Sequence, residues 1–122
     1  MNFFVNKSDT INIPVYVWLD DRNDISATHD KNEIPEKIKY ETILMTIRKP
    51  SYGDSKIIMS VSRSSEGVDP LQLHDQILRT LMVNWDLKEN GLPVEYSVSK
   101  IDSLSPVIAR AASSGILSVV TI

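Results

Sequence analysis

The segment from residue 68 to residue 104 constrains the fold more than any other part of the chain. Asp69 is a suitable helix N-cap, and Pro70 fits the first helical position, where no backbone N–H is needed. Apolar residues then recur every three or four positions, which predicts an amphipathic helix over about 70–84. These apolar residues are Leu71, Ile77, Leu78, Leu81, Met82 and Trp85.

Two strands are predicted in the first part of the chain. Residues 10–20 alternate strictly, which predicts a strand with one aliphatic face. Pro14 cannot donate to a ladder, so this strand is expected at an edge, or paired on one side at that point. Residues 38–49 predict a second, more central strand, antiparallel to the first. The aliphatic face of the first strand comprises Ile11, Ile13, Val15, Val17 and Leu19.

Tyr16 and Trp18 alternate with that aliphatic face and are expected to point away from it. Aromatic residues of this kind are enriched at the centres of protein interfaces, which makes the pair a candidate partner-binding surface. Packing beneath the following loop is an equally good interpretation. The sequence leaves both open.

Residues 20–37 predict a solvated acidic loop that stays mobile or reaches over a neighbour. The loop's carboxylates suggest calcium, but Arg22 stands where an EF-hand needs a ligand and no glycine makes the turn. Asp24, His29 and Asp30 can also be interpreted as a metal site or as the centre of a hydrolase. A solvated loop without metal is the favoured interpretation.

The middle of the chain predicts a helix from about residue 51 to 61, followed by a polar link at 62–67. Ser51 and Asp54 have the spacing of a capping box. The competing interpretation is a strand, because this segment is rich in β-branched residues. We favour the helix. Its inward side chains would be Ile57, Ile58 and Val61.

The end of the chain predicts a short helix and then a strand. Ser105-Pro106 can open an Ala-rich helix, and Gly115 is expected to close it. Residues 116–122 are apolar and β-prone, which predicts a last strand that pairs within the domain or is lent to a neighbouring chain. The candidate contact residues of this strand are Leu117, Val119, Val120 and Ile122.

Composition excludes several classes of function. Thirteen basic and sixteen acidic residues give a net charge of −3 without a basic patch, which argues against nucleic-acid binding. The absence of cysteine excludes thiolate metal sites, and no apolar run reaches the ~18 residues of a membrane helix. No phosphate-binding loop or nucleophile elbow is present, and His74 fits a boundary histidine with one nitrogen satisfied. We therefore predict no enzyme, no cofactor and no metal.

These patterns predict one α+β domain over residues 1–122. A small antiparallel sheet from 10–20 and 38–49 would pack against the main helix and the short C-terminal helices. Residues 1–49 form the strand-rich part, and 50–122 form the helical part.

Residues 70–115 carry an unusual order of common motifs. The main helix ends in Trp85-Asp-Leu, and the Asn90-Gly91 turn, Pro-Val and a short Ala-rich helix follow. This order resembles small morphogenesis proteins of tailed bacteriophages, of the tail-assembly-chaperone type. Their shared pattern is Trp-x-hydrophobic, then Gly-x-Pro-Val, then Ile-x-x-Leu-x-Pro. The preceding Lys-Pro-Ser-Tyr-Gly-Asp is similar to the entry of the family's first helix.

The resemblance implies a non-enzymatic role in a phage tail or baseplate, as a virion component or as an assembly chaperone. The implied partners are other phage structural or tail proteins within an oligomeric assembly, in the virion or in the host cytoplasm. The alternative is a small acidic phage protein that binds and regulates a host factor.

Overall fold

Across residues 2–64 and 67–122, which the computed structural model describes, an antiparallel sheet packs against three α-helices, so the predicted α+β class is confirmed. The strands are β1 (Thr10–Leu19), β2 (Ile25–Thr28), β3 (Glu41–Arg48), β4 (Arg63–Ser64), β5 (Gly67–Val68), β6 (Met82–Trp85), β7 (Lys88–Glu89) and β8 (Leu92–Pro93). The helices are α1 (Tyr52–Ser62), α2 (Pro70–Leu81) and α3 (Pro106–Val119), with 3₁₀ helices at Lys31–Glu33 and Val98–Ser103. The main sheet has the order β2-β1-β3-β6.

Pro14 lies in an internal strand, yet it removes no ladder bond. Leu44, opposite Pro14, accepts from the backbone N–H of Asp86 and donates its own N–H to the Asp86 carboxylate. The backbone groups of Leu44 therefore face β6, and the nitrogen of Pro14 faces away from β3. On that other side β2 pairs with β1 only from Tyr16 to Leu19. At Pro14 the strand is therefore paired on one side only, which is the second of the two arrangements expected for a proline in this strand.

The core lies between the sheet and the helices and takes residues from both parts of the chain. Alternate residues of β1 and β3 point towards α2 and α3, while α1 packs against α2. The fully buried side chains at its centre include Ile13, Val15, Met45, Ile47, Ile58, Ile77, Leu81 and Ile116.

The main helix is shorter than predicted. Asp69 caps it as expected, accepting from the N–H groups of Leu71 and Gln72, but α2 ends at Leu81. Residues 82–85 instead pair with β3 as the fourth strand of the sheet. Their apolar spacing also fits a helix, and the free edge of β3 decides the outcome because strand pairing satisfies its backbone groups.

The predicted loop at 20–37 is wrong in part, because it contains β2 and a 3₁₀ turn. The Asp20 carboxylate accepts from the backbone N–H of Arg22 and of Asp24 and so closes a tight turn between β1 and β2. Asp30 caps the 3₁₀ helix by accepting from the N–H of Asn32. Asp20 and Asp30 thus stabilise the β1–β2 turn and the start of the 3₁₀ helix by accepting hydrogen bonds from the backbone.

The helix predicted at 51–61 is confirmed as α1, and its capping box is formed. Ser51 Oγ accepts from the Asp54 N–H, and the Asp54 carboxylate accepts from the Ser51 N–H. Ile58 is buried as expected, but Ile57 is exposed, and the side chain of Val61 lies outside the described residues. The polar link at 62–67 includes residues 65 and 66, which also lie outside them; β4 pairs with β5 on either side.

The C-terminal strand is wrong, because α3 continues through Gly115 to Val119. Gly115 does not end the helix but lies buried against the sheet. The Ala-rich face of α3 packs closely on β1 and β2, and this packing outweighs the β propensity of the last residues. No helix in the described part of the chain is long and apolar enough to cross a membrane.

Candidate protein-binding site

An apolar cleft lies where β1 ends and β3 begins, and we call it the sheet-end cleft. It has a volume of about 490 Å³. The strands form its floor, the β7–β8 hairpin forms one wall, and the start of α3 forms the other. Its apolar lining includes Val17, Ile25, Ile43, Leu87, Leu104 and Ile108.

The cleft is open because the helices cover only the first part of the apolar face of β1. Ile13 and Val15 are buried, but Val17 is half-buried and Leu19 is 58% exposed. Ile25, which pairs with Leu19, is 42% exposed. Apolar side chains that alternation directs inward therefore reach solvent at this end of the sheet.

A second depression continues the cleft. It has a volume of about 770 Å³ and shares Val17, Ile25 and Glu41 with the first. Trp18 and Tyr40 line its far side. The two depressions together form one apolar surface around the turn between β1 and β2.

The hairpin wall of the cleft is held by Trp85. Its indole N–H donates to the carbonyl of Val94 over 2.8 Å, and its ring meets Tyr96 edge to face at 5.0 Å. The Tyr96 hydroxyl donates to the carbonyl of Met82 over 3.0 Å. Burial raises the pKa of Tyr96, although Arg79 acts in the opposite direction. Trp85, Val94 and Tyr96 thus form one packed unit beside the cleft.

Charged residues of both signs surround the apolar centre. Glu41, Lys88, Glu89 and Lys100 lie at the rim, and all four are exposed. Lys100 donates to the backbone carbonyl of Glu95 over 2.7 Å. An apolar centre with a mixed polar rim is the usual composition of a protein-binding surface. It does not provide the single-sign field that would concentrate a phosphate or a metal ion.

Of the residues that the sequence singled out for partner binding, Trp18 lines the depression that continues the cleft, and the other five line neither depression. Tyr16 and Trp18 are half-buried on the sheet face opposite the helices, and Tyr16 contacts Tyr40 edge to face at 5.7 Å. Tyr40 lies outside the segment 20–37, so this contact does not decide between a partner-binding surface and packing beneath the loop. Leu117 and Val119 are exposed on α3, whereas Val120 and Ile122 pack against the core. The six residues do not form one surface.

His74 and Ser113 form the nearest approach to a catalytic pair. His74 Nδ1 lies 2.5 Å from Ser113 Oγ, which joins α2 to α3. Ser113 is completely buried, so no substrate can reach its hydroxyl. His74 is half-buried with one nitrogen satisfied, as predicted, and the pair serves packing between two helices.

The charged clusters also have structural roles. Arg48 donates two hydrogen bonds to Asp54, at 2.5 and 2.7 Å, and Arg79 pairs with Asp75 and Asp102. Burial alone would raise the pKa of Asp54, but bonds from Arg48 and Ser51 outweigh it and hold the pKa below its usual value. Within residues 2–64 and 67–122, no group of three or more His, Asp or Glu side chains is placed to hold a metal ion.

Comparisons of the chain with protein-family models, with curated proteins and with solved structures found no match. The cleft was missed at the sequence level because its lining comes from positions as distant as Val17 and Ile108. One signal was available. Leu19 and Ile25 flank the Asp20–Asp24 turn, which brings two large apolar side chains together, and a contiguous exposed apolar patch marks an interaction site.

Proposed function

We propose that this chain is a non-enzymatic protein that acts through protein–protein contacts in the assembly of a bacteriophage tail or baseplate. The observation that carries the proposal is the exposure of Ile25 in the sheet-end cleft and of Leu19 in the depression that continues it. Apolar side chains in a concave site gain free energy when a partner replaces the water there, at about 25 cal/mol per Å². The phage setting rests on the order of motifs in residues 70–115.

The cleft suits an apolar segment of another protein. Its volume lies within the ~300–1,000 Å³ of typical ligand pockets, which accommodates one or two large side chains. Aromatic or aliphatic anchors in such pockets contribute about 2 kcal/mol or more each to binding. Charges of both signs at the rim determine how the partner is aligned in the cleft, and they contribute little to the binding free energy.

The hairpin wall supports a preorganised site. Trp85 fixes the strand after the turn through the Val94 carbonyl, and Tyr96 fixes its continuation through the Met82 carbonyl. Asn90 and Gly91 adopt the positive φ values that a tight two-residue turn requires. A wall held at both ends loses little conformational freedom on binding, which favours affinity.

The virion component and the assembly chaperone differ in one measurable property. Mass spectrometry of purified particles detects a resident component and does not detect a chaperone that leaves before completion. Either result agrees with a tail role. Recovery of a host regulatory protein as the sole bound partner would instead favour the alternative of a host-factor binder.

The test of the proposal is a charged substitution in the cleft. Ile25→Glu places a carboxylate in the apolar lining, and Tyr52→Glu is the control at a site that is 80% exposed and does not line the cleft. We expect Ile25→Glu to reduce the yield of infectious particles at least tenfold at an unchanged melting temperature. Equal yields from the two variants would contradict a role for the cleft.

A further inference from the structure

We propose that the sheet-end cleft of one copy receives Phe3 and Phe4 of a second copy, so that copies join head to tail. The inference deepens the proposed function and rests on it, because it names the occupant of the same cleft. Residues 2–9, which we call the N-terminal arm, precede β1 and are exposed throughout.

The arm presents two aromatic side chains to solvent. Phe3 is 83% exposed and Phe4 is 92% exposed, although phenylalanine is among the residues most often buried in folded proteins. Two adjacent rings in water are a large exposed apolar group for a chain of 122 residues. Something that is not part of the same folded body is expected to cover them.

The base of the arm is held against the body. The Lys49 N–H donates to the Asp9 carbonyl over 2.9 Å and so joins the arm to the end of β3. Within the arm, the Asn6 side chain accepts from the backbone N–H of Ser8 over 3.0 Å, and the Asp9 N–H donates to the Asn6 carbonyl over 2.9 Å. Val5 lines a depression with Arg48 and other residues near the start of α1. The two rings therefore project from a fixed base.

The arm cannot fill the cleft of its own chain. The arm enters β1 at Thr10, and the cleft lies at the other end, around Leu19. A strand rises ~3.3 Å per residue, so the two ends of β1 are about 30 Å apart. Phe4 precedes Thr10 by six residues, which span at most about 20 Å when fully extended. The cleft within reach belongs to a different copy.

The area involved predicts a weak contact. A phenylalanine buries about 150–250 Å², so two rings and the facing cleft would bury about 600–1,000 Å² in total. Stable interfaces bury about 1,200–2,000 Å². The copies are therefore expected to associate reversibly and only at high local concentration, as in a growing assembly.

The donor and the acceptor lie at opposite ends of the same strand, so the contact is heterologous. Each copy has one arm and one cleft. A row of joined copies therefore has one free arm at one end and one free cleft at the other. Such contacts produce rings when the rotation closes and filaments when it does not.

The experiment is a complementation test by sedimentation velocity on the purified full chain. The arm variant is Phe3→Ser with Phe4→Ser, and the cleft variant is Ile25→Glu. Leu19→Glu, in the depression that continues the cleft, provides a second variant if Ile25→Glu lowers the melting temperature. We expect the wild type to self-associate with increasing concentration and each variant alone to be monomeric, with dissociation constants raised at least tenfold.

Sedimentation velocity of a mixture of the arm variant and the cleft variant provides the decisive test. The arm variant keeps an intact cleft and the cleft variant keeps an intact arm, so the mixture should form one-to-one dimers and nothing larger. A monomeric wild type at millimolar concentration, self-association of either variant, or a mixture without dimers would overturn the inference. Photo-cross-linking from position 25 then separates this inference from the proposed function. A cross-link to a different protein would leave the proposed function standing, and no cross-link at all would contradict both.

Discussion

Gly115 of α3 lies so close to Ile13 of β1 that a Cβ atom on the glycine would come within 2.7 Å of Ile13 Cγ2. The same atom would lie 2.9 Å from the Cβ of His29, which is fixed to the backbone. Real Cβ atoms do not approach other atoms so closely, so the helix rests on the sheet only because residue 115 has no side chain. This close approach sets how near α3 lies to β1.

We predict that Gly115→Ala destabilises the protein although alanine favours helices. The gain in helix propensity is about 1 kcal/mol, and overpacking against Ile13 and His29 costs about 1–3 kcal/mol. The expected net loss in the free energy of unfolding is up to about 2 kcal/mol, measured by urea denaturation.

Gly53→Ala is the matched control, because a Cβ there would meet only Ser51 Oγ, at an ordinary 3.6 Å. Gly53 lies in the first turn of α1, so this variant should be neutral or more stable than wild type. A stabilised Gly115→Ala protein would show that α3 is not held this closely to the sheet.

Tyr96 should make the protein sensitive to alkaline pH. Because burial raises the pKa of its phenol, the folded state holds the proton that the unfolded chain releases near pH 10. The stability contributed by the protonated phenol is complete below that pH and is lost as pH rises through the folded pKa. Urea denaturation from pH 8 upward should show a steeper decline for wild type than for Tyr96→Phe once the pH exceeds about 10.

At neutral pH the Tyr96→Phe variant should lose about 1 kcal/mol, because the carbonyl of Met82 loses its donor. Tyr52→Phe is the control, since Tyr52 is exposed. Parallel alkaline curves for the wild type and Tyr96→Phe would contradict a buried, protonated phenol.

Asp54 should make the protein sensitive to acid. Its pKa is held below the usual value, so its stabilising charge is complete above about pH 4 and is lost as pH falls through the folded pKa. Asp54→Asn keeps the shape but weakens the bonds from Arg48 and Ser51. We expect a loss of about 2 kcal/mol at pH 7, below that of a fully buried pair because Arg48 is partly exposed.

The difference between wild type and Asp54→Asn should shrink as pH falls from 4 to 2, as measured by thermal unfolding. Asp21→Asn changes an exposed carboxylate and should follow the wild type at every pH. A difference that persists unchanged at pH 2 would show that the charge of Asp54 is not the cause.

Pro14 should protect the sheet from edge pairing. Pro14 lies in the part of β1 that extends beyond the end of β2, and its nitrogen faces this unpaired edge. Pro14→Thr therefore adds a backbone N–H donor to the edge. We expect faster growth of thioflavin-binding aggregates and a change in unfolding free energy within about 1 kcal/mol. Thr10→Val raises β propensity near the start of the same strand without a new donor, and it should aggregate like wild type.

Local signals were sufficient for several elements of the fold. Asp69-Pro70 marks the start of α2, the capping box at Ser51 marks α1, and Asn90-Gly91 marks the β7–β8 turn. Each of these depends on residues only a few positions apart. Short-range chemistry decides them, so they can be predicted from the sequence.

The elements that could not be predicted depend on distant partners. Met82–Trp85 becomes a strand because the edge of β3 is free, and residues 116–119 remain helical because Gly115 fits against Ile13. The sheet-end cleft also depends on distant partners, since Ile25 and Leu104 line the same cavity only in the folded chain. Neither periodicity nor composition contains these long-range contacts.

The most direct measurement is site-specific photo-cross-linking from the sheet-end cleft in cells that express the chain from its own gene. Benzoylphenylalanine in place of Ile25 should give a discrete adduct with another polypeptide, identified by mass spectrometry. The same group in place of Tyr52, at a site that is also exposed, should give none. Absence of an adduct from position 25, or identical adducts from both positions, would contradict a protein-binding role for the cleft.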